Sequence, residues 1–212
     1  GNVEIGAGAG GASAVGGHVL LSSGSSRGAS SGTIVLQSAS SASASGEVIL
    51  KSGSSADGSS GALRLSTGTS ASSSGTVVVA AGASSKGVAG GVAVRAGNSS
   101  DANGGSVVLE SGAGSLQRSS GELALRSAAA ADDGISGLIQ LASGTASSGN
   151  SGSVVLRSGE SAGDSSGVVQ LVGGNSSRGG GHVLVQAGAT TYGATGGKVR
   201  IRSGDNLSRS GT

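Results

Sequence analysis

The chain is a tandem array built on one short phrase, Gly-x-Val-x-Leu-x-Ser-Gly, which begins fourteen times at a spacing of 14 to 16 residues. Such self-similarity is typical of proteins built from repeated copies of one structural unit. The first glycine of each repeat, called position one, is Gly1, Gly17, Gly32, Gly46, Gly61, Gly75, Gly90, Gly105, Gly121, Gly137, Gly152, Gly167, Gly181 and Gly197. We expect residues 1–212 to form a single repeat array, and the uncapped pattern at both ends predicts a segment of a longer one.

The composition excludes several classes of protein. Phe, Trp, Cys, Met and Pro are absent, Tyr192 is the only aromatic residue, and 45 residues are glycine, so a conventional globular core is not expected. A net charge of +2 gives little support to nucleic-acid binding. No apolar run is long enough to span a bilayer, so membrane insertion is not expected either.

The apolar residues alternate within each phrase. Positions three and five hold Val, Ile or Leu in all fourteen repeats, which is strand periodicity, and position seven is always small. Position eight, which is glycine in twelve repeats, predicts a tight bend after the strand. The Ser-rich remainder, called the return segment, is too long for a favoured hairpin turn. We therefore predict an all-β protein, a parallel β-solenoid of about 14 coils with roughly 15 residues per coil and paired aliphatic side chains inside.

Position four, which faces away from the predicted core, is apolar in many repeats. An apolar ridge with a polar rim is typical of a contact surface, although β-branched residues also favour strand surfaces for their own sake. The residues of this position-four stripe are Leu20, Val35, Ile49, Val78, Val108, Val155 and Leu184. Each sixteen-residue repeat adds one bulky side chain in its return segment, either to fill a wider coil or to form a contact point, at Val15, Leu116, Ile135 and Tyr192.

Residues that carry chemistry are sparse. The two histidines, His18 and His182, are eleven predicted coils apart, too far to share a metal ion. We find no pattern of acid, base and nucleophile, so an enzyme is not expected, and neither is a cofactor or a metal site. Three Asn-x-Ser sequons fall in return segments and predict candidate glycosylation sites at Asn98, Asn175 and Asn206.

The Gly/Ser-rich repeat resembles the repetitive parallel β-solenoid proteins of extracellular filaments and cell surfaces, including adhesin stalks. The resemblance is one of architecture and covers the whole chain. It implies a structural protein, a segment of an extracellular fibre, sheath or stalk that self-associates laterally or end to end, with glycans as possible partners. The alternative is a surface-binding module in which a flat face recognises ice, polysaccharide or an adhesin ligand. Both interpretations imply an extracellular or cell-surface location.

Overall fold

The computed structural model describes residues 1–115, 118–131, 133–193 and 195–204. It divides the chain into two units, Gly1–Val107 and Val108–Thr212. Neither unit contains a helix or a β-strand in its described residues. The regular features of both units are local and recur from repeat to repeat.

The predicted parallel β-solenoid is wrong for this chain. Its coils would bury positions three and five, yet no described residue is buried, and the accessible surface is 21214 Å². A folded monomer of 19.3 kDa exposes about 8,500 Å², whereas the unfolded chain exposes about 28,000 Å². The physical reason lies in the return segments: their Ser, Ala and Gly side chains offer too little apolar area to cover the aliphatic residues of their own repeat.

The return segments do bring their two ends together. The amide of Gly17 donates a hydrogen bond of 2.8 Å to the carbonyl of Gly8, which joins position one of a repeat to position eight of the repeat before it. We call this bond a closure. In the described residues, closures of 2.8 to 3.1 Å also join Gly32 to Gly24, Gly90 to Gly82, Gly105 to Gly97, Gly121 to Gly112, Gly181 to Gly174, and Gly197 to Gly188.

At several of the position-one glycines the chain passes close to itself. A Cβ atom on Gly17 would lie 3.1 Å from the Cβ of Ala7 and 3.2 Å from the amide nitrogen of Gly8. At all thirteen junctions a Cβ at position one would meet position seven or eight of the preceding repeat at 3.0 to 3.7 Å. The nearest distance is below 3.4 Å at Gly17, Gly32, Gly90, Gly105, Gly181 and Gly197, so close approach favours glycine at these six junctions, whereas at the other seven the distance is that of an ordinary van der Waals contact.

Position seven is also the best covered position of the repeat. The six described residues that are half-buried all occupy it: Ser38, Ala96, Ser111, Ser158, Gly173 and Ala187. By contrast, a Cβ on the position-eight glycines, such as Gly82 or Gly174, would have nothing within 4 Å. Positive φ angles among the described residues occur only at Gly149 and Gly193, so the bend does not require glycine at position eight. The predicted role of that glycine is wrong, and Ala39 and Ala128 occupy the same position.

Three devices bend the return segments, and the length of the repeat sets the reach of the serine device. Where position ten is serine, its Oγ accepts a hydrogen bond from a backbone amide of the same return segment. In 14-residue repeats the donor lies two residues later, as in the bond from the Ser43 amide to Ser41. In 15-residue repeats the donor lies three residues later, as in the bond from the Gly87 amide to Ser84. Such side-chain acceptors commonly organise turns. The remaining serine turns are Ser26–Ala29, Ser55–Gly58, Ser70–Ser72, Ser99–Ala102, Ser161–Asp164 and Ser176–Arg178.

Repeats without serine at position ten use the backbone instead. In three of the 16-residue repeats the amide at position fourteen donates to the carbonyl at position eleven, in the pairs Ala14 to Gly11, Arg118 to Ser115, and Gly134 to Ala131. The other two complete repeats place a glycine with positive φ at position thirteen, namely Gly149 at 151° and Gly193 at 54°. Every complete repeat thus carries its own means of bending, independent of its neighbours.

Candidate interaction surface

The aliphatic residues at positions three, four and five form exposed apolar surface that a partner could cover. We call them the aliphatic triplet. Outside the first repeat, position-three side chains are 46 to 63% exposed, whereas the position-four stripe is 62 to 88% exposed. The stripe residues at position four are therefore more exposed to solvent than the residues at position three. Single exposed aliphatic residues are ordinary, whereas a recurring exposed triplet is typical of contact surfaces.

The two units carry the stripe separately. The first unit holds Leu20, Val35, Ile49 and Val78, and the second holds Val108, Val155 and Leu184. All seven side chains are exposed to solvent. Their predicted role as a lateral contact surface stays a prediction, but the exposure that such a role requires is present.

Charged residues flank the stripe on the same side. In the repeat that begins at Gly121, Nη2 of Arg126 lies 3.7 Å from Oε1 of Glu122, and both side chains are more than three-quarters exposed. They occupy positions six and two, so the contact reaches across position four, which here is Ala124. In an extended chain, residues two apart point to the same side, so positions two, four and six share one face. In this repeat, position four therefore lies between an acidic residue at position two and a basic residue at position six.

The bulky residues of the sixteen-residue repeats project into solvent. Val15, Ile135 and Tyr192 are all at least 88% exposed, so they do not fill the interior of a wider coil. Val88, in a fifteen-residue repeat, is equally open. Val15, Val88 and Ile135 each follow directly after the residue whose amide completes the turn. Leu116 lies outside the described residues.

The sequons share one environment. Asn98 and Asn175 both occupy position nine, immediately before a serine whose Oγ accepts a turn hydrogen bond, in Ser99 and Ser176 respectively. Both asparagines are exposed. Asn206 lies outside the described residues. Glycosylation at these sites stays a prediction, and the loops that would carry it are open.

No catalytic or metal-binding arrangement is visible in the part of the chain that the structure describes. Groups of three or more His, Asp or Glu residues close enough to hold a metal ion do not occur there. His18 and His182 are exposed. An open cavity of about 370 Å³ is lined by Arg157, Ser158, Gly159 and Glu160, and it offers one cation and one carboxylate.

Helices that could cross a membrane are also lacking from the described ranges. Comparison with protein-family models found no match, and searches of curated proteins and of solved structures likewise found none. The features of the chain itself therefore carry the functional argument.

Proposed function

We propose that this protein is a structural protein that self-associates, forming part of an extracellular fibre, sheath or stalk. The observation that carries the proposal is that the aliphatic residues at positions three and five are exposed in every repeat, joined by an exposed aliphatic residue at position four in seven of them. A chain that leaves this much aliphatic surface in water gains free energy whenever another surface covers it. Repetition favours a structural role, because the same contact is offered many times along one chain.

The energies are of the right size for association. Complete burial of a Val, Leu or Ile side chain contributes about 1.5 to 3 kcal/mol, so the seven stripe residues contribute about 8 to 16 kcal/mol after allowing for the part already covered. Association costs about 4 to 15 kcal/mol in lost translational, rotational and side-chain freedom. Burial of the stripe is therefore of the same order as the cost of association, and positions three and five add further apolar area.

Sparse charge supports the same function. With 13 basic and 11 acidic residues, copies of the chain repel one another only weakly. Absence of proline removes the residue that most often blocks close pairing of extended segments. Short apolar segments of high β-propensity, low charge and no proline are typical of chains that assemble with copies of themselves.

The experiment is a concentration series of the purified chain, followed by sedimentation velocity and by electron microscopy. We expect the sedimenting mass to rise with concentration and filaments to appear. The triple variant Val35→Ser, Ile49→Ser and Val78→Ser removes about 1 to 2 kcal/mol per site and should weaken association at least about 100-fold.

The matched control is the triple variant Val15→Ser, Val88→Ser and Ile135→Ser, which deletes similar apolar area from the loops. It should associate like the unchanged chain. A chain that stays monomeric at millimolar concentration would contradict the proposal, and so would equal weakening in the two variants. Thermal hysteresis in the monomeric chain would favour a surface-binding module instead.

A further inference from the structure

One asparagine of the chain precedes a glycine. Asn103 is followed by Gly104, whereas the other asparagines precede Val, Ser or Leu. The pair lies at the end of a return segment, directly before the position-one glycine Gly105, and both of its residues are exposed to solvent. Because glycine has no Cβ, a neighbouring group can approach its backbone more closely than that of any other residue. The pair therefore places a side-chain amide next to an unhindered backbone nitrogen.

The backbone amide of Gly104 has no hydrogen-bond acceptor among the residues that the structure describes. The amides on either side of the pair are both engaged. Ala102 donates to Oγ of Ser99 at 3.0 Å, and Gly105 donates to the carbonyl of Gly97 at 3.0 Å. The serine turn and the closure thus hold the chain before and after the pair, and the nitrogen between them is left to solvent.

Two aspartates also precede a glycine, and in both pairs the glycine amide donates a turn hydrogen bond of 3.1 Å. The bonds run from Gly58 to Oγ of Ser55, after Asp57, and from Gly134 to the carbonyl of Ala131, after Asp133. A nitrogen that donates a hydrogen bond must give up that bond before it can lose its proton, which costs the energy of the bond. Only the pair at Asn103 therefore has a glycine nitrogen that can react without breaking a turn.

We propose that Asn103 is a site of spontaneous deamidation. The Gly104 nitrogen loses its proton to solvent and attacks Cγ of Asn103, the bond from Cγ to Nδ2 breaks, and ammonia leaves with a proton taken from solvent. The product is a five-membered succinimide ring. One water molecule then opens the ring, either at Cγ to give aspartate or at the backbone carbonyl carbon to give isoaspartate. One ammonia molecule is released and one water molecule is consumed, so the conversion needs no oxidant, reductant or cofactor.

Conversion changes the chain beside a closure. Either product places a carboxylate two residues before the Gly105 amide, and the net charge falls from +2 to +1 because one neutral amide becomes one anion. Isoaspartate also adds one methylene group to the backbone within the segment that the closure to Gly97 spans. The reaction takes place within one chain and requires only water, so the inference is independent of the proposed function.

Mass spectrometry of the full chain, purified from bacterial cells and incubated in mildly alkaline buffer, follows the reaction. Peptide mapping locates each converted residue, and electron-transfer fragmentation distinguishes isoaspartate from aspartate. We expect Asn103 to convert faster than the exposed asparagines that precede serine, which are Asn98, Asn150 and Asn175. Gly104→Ala is the matched control. Its Cβ would lie 3.7 Å from the carbonyl oxygen of Gly97, an ordinary contact, and it should slow conversion of Asn103 to the rate of those other asparagines.

A second variant measures the effect of the turn hydrogen bond within one chain. Asp57→Asn gives residue 57 the same neighbours as Asn103, with alanine before it and glycine after it, but the glycine amide is held by Ser55. We expect residue 57 to convert about two- to thirteenfold more slowly than Asn103, from the energy of one hydrogen bond. Adding Ser55→Ala removes the acceptor and should bring the two rates together.

The outcomes are distinct. Conversion of Asn103 no faster than that of Asn98, Asn150 and Asn175 would overturn the proposal. Equal rates at residues 57 and 103 in the Asp57→Asn chain would show that the free amide of Gly104 is not what exposes Asn103 to the reaction, and would overturn it too. Failure of the same preparation to self-associate would contradict the proposed function and leave this inference intact.

Discussion

Position one and position eight are the two ends of one hydrogen bond, yet they differ in the space around them. In the closure between Gly181 and Gly174, the amide of Gly181 lies 2.8 Å from the carbonyl oxygen of Gly174. A Cβ on Gly181 would lie 3.0 Å from the amide nitrogen and 3.4 Å from the carbonyl oxygen of Gly174, both of them backbone atoms. A Cβ on Gly174 would have nothing within 4 Å. The same substitution should therefore have opposite effects at the two residues.

We predict that Gly181→Ala breaks this closure and that Gly174→Ala keeps it. The alanine at position 181 must move away from backbone by a few tenths of an ångström, which stretches the 2.8 Å bond towards the limit of good geometry. Loss of one backbone hydrogen bond costs about 0.5 to 1.5 kcal/mol. At Gly174 the alanine only reduces the freedom of the open chain, worth about 0.4 to 1 kcal/mol in favour of the closure.

Hydrogen exchange of the amide at residue 181, measured by NMR and corrected for neighbouring side chains, tests the pair. In the unchanged chain the closure should slow exchange about two- to thirteenfold, from the energy of one bond. Gly181→Ala should remove this protection, and Gly174→Ala should preserve it or increase it up to about fivefold. Equal loss of protection in both variants, or protection that survives Gly181→Ala, would refute the argument that close approach selects glycine at position one.

Two further predictions concern the serine turns. Ser84→Ala removes the acceptor of the 2.9 Å hydrogen bond from the Gly87 amide, so hydrogen exchange of that amide should become about two- to thirteenfold faster. The adjacent substitution Ser85→Ala is the control and should leave the exchange rate of the Gly87 amide unchanged. Equal effects of the two substitutions would contradict the assignment of Ser84 as the acceptor. Inserting one glycine after Arg178 lengthens a 14-residue repeat to 15 and should move the protected amide from Arg178 to the inserted residue, as detected by the same exchange measurement. Persistent protection at Arg178 would contradict the link between repeat length and turn.

The sequence shows the repeat itself, but the predicted strand within each repeat and the predicted solenoid are both wrong. The fourteen position-one glycines and the small residues at position seven are visible in the sequence, and at six junctions, such as that between Gly17 and Ala7, the close approach of the chain explains the glycine. The burial of positions three and five was inferred from alternation alone. Alternation of apolar residues indicates that the two faces of a segment differ in polarity. Burial of the apolar face also requires a second layer of structure to pack against it, and alternation does not supply that layer.

The turn devices were missed although their signal is present in the sequence. Serine occupies position ten in eight repeats, and the others have Gly, Ala, Thr or Asn there. In so serine-rich a chain, this position did not stand out from Ser25, Ser30 or Ser31 beside it. Likewise, the residue before position one is Gly in four of the seven closures, as at Gly16 and Gly104.

Each closure links an amide to a carbonyl only seven to nine residues earlier in the chain. Contacts over about ten residues form within about 10 to 100 ns, far faster than a ribosome adds amino acids. A newly made repeat can take up its bend while the rest of the protein is still being synthesised, without waiting for a distant segment. Gain or loss of whole repeats by gene duplication would leave the bends in all the others intact, so array length is free to vary during evolution.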